Sequence, residues 1–214
     1  GHAAALGGMI VDGGNFNFKG NARYASFNEP DESYHGLVYA DLPAAQFATK
    51  CRAQMMRDMG AIMSPQNAFL SWLGADTLAL RMERHSSNAK KVAAYLSKHP
   101  KIDWVWHASL PANKYHALAE KYLPKGQGGM LSFGIKGDVA QAAKFMEALQ
   151  LITQETHVAD VRSCVLHPAS TTHRQLTKEE LEQAGVPENL VRLSVGIENP
   201  DDIIADLDQA LARI

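Results

Sequence analysis

The chain has 214 residues, 46% of them hydrophobic, enough to bury a real core in one large domain or two small ones. Its formal charge of −2 is spread over interspersed signs with no basic block, which argues against a nucleic-acid partner. No apolar run approaches the roughly 20 residues of a membrane span, and the nine histidines are scattered without metal-ligand spacing. The two cysteines, Cys51 and Cys164, make no disulfide framework and fit a reducing, cytoplasmic setting.

Residues 4–11 read as a short buried strand stopped by Gly13-Gly14. The chain opens on the lead-in to that strand without an initiator Met, so residue 1 is expected to be an internal position of a longer protein. The stretch 15–42, rich in Asn, Gly, Pro and aromatics, reads as loop. Pro43 then suits a first helical turn, and a helix is expected to run to Met59 and end at Gly60, with Met55, Met56 and Met59 packing it. Ser64-Pro65 starts another helix, interrupted at Gly74. From Thr77 the residues Leu78, Met82, Ala89, Val92, Ala93 and Leu96 recur at helical spacing up to Pro100.

The second half alternates short strands and helices. Strands are expected at 102–106, 130–136, near 161–166 and at 191–197, and helices at 113–122, 138–149 and from the capping box Thr177–Glu180 to Gly185. Asn199 caps a last helix with Pro200 at its first position and Asp201 and Asp202 at the positive end of its dipole. This order describes an α/β sandwich, with antiparallel and parallel sheets both compatible with the periodicity.

In the strand "VRLSVGI", Val191, Leu193, Val195 and Ile197 share one face, while Arg192, Ser194, Gly196 and Glu198 share the other. That face meets either water or a ligand. No spacing in the chain declares a catalytic constellation: G-x-S-x-G, H-E-x-x-H and paired cysteines are all missing.

The long segments carry more. "FNEPDESYHGLVYAD" (27–41), "SPQNAFLSWLGADTLALRMERHSSNA" (64–89), "RSCVLHPASTTHRQL" (162–176) and "VRLSVGIENPDDIIADLDQAL" (191–211) closely resemble the Cys/Met-metabolism family of pyridoxal-phosphate enzymes, in family order. "HPASTTHRQL" and "KYLPKGQGGMLSFGIKG" resemble its sulfhydrylase branch more than its cystathionine branch. The resemblance implies fold type I: residues 1–63 would finish the large cofactor domain. Residues 64–214 would form a bridging helix and a small C-terminal α/β domain with a mainly antiparallel sheet.

The resemblance also implies a pyridoxal 5'-phosphate cofactor and a homotetramer with active sites shared between subunits. The reaction implied is γ-replacement, in which O-acetyl-L-homoserine and sulfide give L-homocysteine and acetate. Gly1-His2 resembles the end of a "GGH" element that follows the Schiff-base lysine, so that lysine is expected upstream of residue 1. Lys19, Lys50, Lys90, Lys91, Lys125 and Lys136 stand in no matching context.

Two substrate-binding positions carry over by the same resemblance: Arg192, matching the arginine that holds the substrate α-carboxylate, and Ser163, matching a serine beside the lysine and substrate. Thr172 and His173 are expected to brace the loop after Pro168. Arg162 stands where cystathionine enzymes of the family carry Glu. The alternatives are a γ-lyase or cystathionine-type enzyme, or a non-catalytic module that needs its N-terminal half.

Overall fold

The computed structural model describes residues 1–214, which form two compact units: Ala4–Trp72, and Leu73–Ile214 together with Gly1–Ala3.

In the first unit a small aromatic core of Phe18, Phe27 and Tyr39 holds the loop region together, with Phe18 and Phe27 stacked at 4.0 Å between centroids. The buried Asp31 ties it down: Oδ2 accepts from Tyr39 Oη (2.5 Å) and Gln54 Nε2 (2.7 Å), and Oδ1 accepts from Ser33 Oγ (2.6 Å). The expected strand at 4–11 does not form. Its backbone joins no ladder, and Leu6, Met9, Ile10 and Val11 are 87, 87, 71 and 84% exposed. A buried strand is defined by neighbours that pair with its edges, and within its own unit this segment has no strand to pair with.

The helix expected from Pro43 starts at Gln46 and runs as Gln46–Lys50, a π-helical stretch Cys51–Met56, and Arg57–Met59. It ends at Gly60 in the left-handed conformation (φ +65°), which glycine adopts without a Cβ penalty. Met55, Met56 and Met59 are exposed rather than packed, and line an open cleft of about 450 Å3 with Ile10 and Cys51.

In the second unit five strands form one sheet in the order β1-β2-β5-β4-β3: β1 Ile102–Trp106, β2 Met130–Ile135, β3 Thr153–Gln154, β4 Cys164–Leu166 and β5 Leu190–Ser194. The pairs β1·β2, β2·β5 and β4·β5 are antiparallel, and only β3·β4 is parallel. The sheet is therefore mainly antiparallel, the arrangement that periodicity alone leaves open.

Helices Leu78–Leu96, Val139–Ala148 and Pro200–Ala212 bury Val92, Leu96, Phe145, Ile203, Leu207 and Leu211 against Phe133, Val165, Val191, Leu193 and Val195. Val191, Leu193 and Val195 are fully buried, as the alternation requires. Both predicted caps are present: Thr177 Oγ1 accepts from Glu180 N–H, and Asn199 Oδ1 accepts from Asp201 N–H. A further capping box, Asp138 with Gln141, starts helix Val139–Ala148.

Three elements depart most from their expected bounds: the helix His116–Tyr122 begins later, β4 is confined to Cys164–Leu166, and β5 ends at Ser194. The long helix also departs from its apolar stripe. Leu78 and Met82 are exposed, and its first buried positions are Arg81, His85 and Asn88. Two of these side chains face backbone carbonyls that lack strand partners: Asn88 Nδ2 donates to Gly196 O (3.0 Å) and Glu198 O (2.8 Å), and His85 Nδ1 lies 2.7 Å from Val195 O, while Arg81 bonds Gly74 O and Thr77 Oγ1.

Candidate functional site

The sheet face opposite the helices carries Arg192 and Ser194 on β5, with Ser132 of β2 and Leu166 of β4 beside Arg192 in register. The connection leading into β4 covers it. Arg192 is half-buried, and its Nη2 donates to the Thr156 carbonyl at 3.0 Å. Its guanidinium forms no ion pair, whereas Arg162 Nε lies 3.3 Å from Asp160 Oδ1. Arg192 thus presents an uncompensated planar cation with donors left over, the geometry suited to a carboxylate.

Further along the same face, the buried Ser194 Oγ accepts from Ala159 N–H at 2.9 Å. Ser163 is buried at 1% exposure and fully engaged. Its backbone N–H donates to Glu198 Oε1 (2.5 Å), its hydroxyl donates to Glu198 Oε2 (3.0 Å), and its Oγ accepts from Gly196 N–H (2.9 Å). Only glycine fits at 196, because a Cβ there would stand 2.5 Å from Ser163 N and from Val161 O. Residues 192, 194, 196 and 198 therefore stitch down residues 156, 159 and 163 in order.

The covering segment is itself charged. Glu155 Oε2 pairs with His157 Nδ1 at 2.6 Å. Burial pushes the Asp160 carboxyl up, but the Arg162 N–H (3.0 Å) and guanidinium outweigh that and hold it below the usual carboxylate range. Asp160 Oδ2 is buried without a hydrogen-bond partner. Burial also pushes the Cys164 thiol up, keeping it protonated and a poor nucleophile.

Arg192 and Ser163 thus meet the same loop, one at each end. Thr172 and His173 do not join them: Thr172 Oγ1 lies 2.9 Å from His173 Nδ1, and His173 N–H donates to Pro168 O (2.9 Å). Lys50, the one buried lysine, is committed elsewhere: Nζ donates to Ser26 O (2.8 Å) and sits 4.5 Å over the Tyr39 ring. Arg192 thus keeps donors that an anion could take, while the one buried lysine, engaged with Ser26 and Tyr39, does not fit the role of a Schiff-base amine. Sequence reasoning passed over Glu198 and Thr156. Alternation had already put Glu198 on the Arg192 face, whereas nothing local marks Thr156 as the partner of a residue 36 positions away.

The domain is thus a mainly antiparallel sheet with helices on one face and, on the other, an arginine that makes one hydrogen bond and no ion pair. Residues 1–212 match the family described as Cys/Met metabolism PLP-dependent enzyme, and the chain belongs to that family. It is 47% identical over 224 residues to an O-acetyl-L-homoserine sulfhydrylase of Leptospira meyeri, covering 100% of this chain and 50% of that protein. It is 48% identical over 213 residues to a homocysteine synthase of Schizosaccharomyces pombe, covering 99% of this chain and 50% of that protein. The chain thus spans about half the length of the curated relatives it matches.

A crystal structure from Campylobacter jejuni, described as an O-acetylhomoserine (thiol)-lyase with N'-pyridoxyl-lysine-5'-monophosphate, superimposes with a TM-score of 0.85 at 45% identity. The match covers 91% of this chain and 46% of that one. The family is pyridoxal-phosphate-dependent, and the fold is of its type I kind. No helix of the chain is long and apolar enough to cross a membrane.

Proposed function

We propose that this chain is the substrate-carboxylate half of an enzyme that converts O-acetyl-L-homoserine and sulfide to L-homocysteine and acetate. Relatives bearing sulfhydrylase and homocysteine synthase names at 47 and 48% identity across essentially all of this chain support the reaction. The observation that carries the site is Arg192, a half-buried residue whose guanidinium, bonded to Thr156 at an exposed position, has no carboxylate partner. Arg192 takes the α-carboxylate in a bidentate pair and orients the amino acid, and Ser163 forms the other end of that wall. Thr172 and His173 brace the loop behind Pro168.

Pyridoxal phosphate, when bound, supplies the electron sink that lets acetate leave from Cγ and sulfide add. In this reading residues 1–63 complete the cofactor domain and 64–214 form the bridging helix and small domain. The complete enzyme is a cytoplasmic homotetramer with shared sites. Arg162, where cystathionine enzymes carry Glu, favours the sulfhydrylase over the cystathionine reading.

The test compares homocysteine formation from O-acetyl-L-homoserine plus sulfide with α-keto acid release from methionine, using the complete protein. Faster keto-acid release makes it a γ-lyase and overturns the proposal. Visible absorbance of cofactor added to the 214-residue chain alone tests the lysine reading: a protein-bound cofactor band there contradicts it.

A further inference from the structure

The four outward positions of the β5 segment do not contribute equally to holding the loop that covers them. Arg192 and Ser194 each make one contact with it, to Thr156 and Ala159. Glu198 takes both donors of Ser163 at once and pairs with no cation. Its backbone is clamped independently, since Asn88 Nδ2 donates to Glu198 O at 2.8 Å and Arg84 Nη2 at 3.3 Å. The side chain thus transmits a fixed position to Ser163, and Ser163 ends the loop whose other end carries the Thr156 carbonyl that holds Arg192.

We infer that Glu198 is a positioning residue for substrate recognition: through Ser163 it sets the 156–163 loop, and so the orientation of the Arg192 guanidinium toward a substrate carboxylate. This rests on the reading of Arg192 as the carboxylate holder. Without the Glu198 carboxylate, both donors of Ser163, its N–H and its hydroxyl O–H, lose their acceptor at a site only 1% exposed, while Oγ still accepts from Gly196 N–H. Such groups cost enough to drive a local rearrangement toward water. β4 is held in the sheet on both edges, so the rearrangement falls on the loop that precedes it.

The test uses the complete holoenzyme and two ligands without a leaving group, L-norleucine and n-pentylamine, which differ only by the carboxylate. Binding is read by titration calorimetry, with the melting temperature recorded alongside. Glu198→Ala is expected to weaken L-norleucine about tenfold while leaving n-pentylamine within about twofold. Glu198→Gln, which keeps one acceptor oxygen, is expected to recover most of that loss, and it carries the test if the alanine variant does not fold. Equal weakening of both ligands, or no weakening of either, overturns the role of Glu198. Arg192→Ala separates the two readings. If it loses L-norleucine selectively while Glu198→Ala does not, only the Glu198 inference falls. If it shows no selectivity, the reading of Arg192 falls and this inference falls with it.

Discussion

Arg192 Nη2 and the Thr156 carbonyl, 36 residues apart in the chain, stand 3.0 Å from each other. The bond uses one of the five guanidinium N–H donors and aims the remainder. Arg192→Ala in the complete enzyme is expected to weaken substrate binding by roughly 2–4 kcal/mol, the scale for losing a charge-assisted pair. Arg192→Lys should recover little, because an ammonium cannot keep the Thr156 bond while presenting a planar fork. Steady-state kinetics with varied O-acetyl-L-homoserine checks this, and an unchanged KM would remove Arg192 from the site.

Gly196 offers a purely steric test of the same wall. A Cβ at 196 would meet Ser163 N and Val161 O at 2.5 Å, both backbone atoms, so the covering loop itself would have to shift. Gly196→Ala should destabilise the protein by about 1–3 kcal/mol, the usual cost of overpacking, measured by denaturant unfolding. Unaltered stability would mean that the loop yields freely.

Asp206, buried in helix Pro200–Ala212, accepts from the backbone N–H groups of Gln150 (2.8 Å), Leu151 (3.0 Å) and Ile152 (2.9 Å). These donors end the connection that feeds β3 and have no ladder partner of their own. Asp206→Ala should cost about 2–4 kcal/mol, since three donors and a cavity are left behind. Asp206→Asn, keeping one acceptor, should cost less, and a chevron or equilibrium melt distinguishes the two.

The first unit carries a pH dependence at both extremes. Hydrogen bonds from Ser33 and then Tyr39 hold Asp31 down at about 2, so its contribution is present above the ordinary carboxylate pKa and lost as pH falls toward 2. Burial, with the Asp31 bond second, raises Tyr39 to about 12, so its contribution is complete below pH 10 and lost as pH rises toward 12. Thermal melts across pH should narrow at both ends. Tyr39→Phe should flatten the alkaline limb, and a limb that persists in that variant would place its origin elsewhere.

Much of the second unit was legible from local signals. The β5 alternation gave the buried set Val191, Leu193 and Val195, and Asn199 and Thr177 marked the starts of their helices. The site was legible only in part. Resemblance picked out Arg192 and Ser163, but the hydroxyl of Ser163 turned out to be held on both sides, by Glu198 and Gly196. The strand expected at 4–11 failed for a different reason: its apolar run describes what it needs against it, and exposed Leu6, Met9 and Val11 show that need unmet.

By itself, the sequence determined what depends on neighbours within a few residues: caps, the helix stops at Gly60 and Gly185, and the two faces of β5, although the break read at Gly74 falls instead at Thr77. These follow from backbone geometry with a period of 2.0 or 3.6 residues. The mainly antiparallel sheet, left open by periodicity, was supplied by the resemblance; only the tertiary structure decided the order of its strands, the polar face of helix Leu78–Leu96, and the pairing of Arg192 with Thr156 and Glu198 with Ser163. Each of those joins groups far apart in the chain, and which donor meets which acceptor across such a closure is set by how the whole unit packs, not by any local pattern.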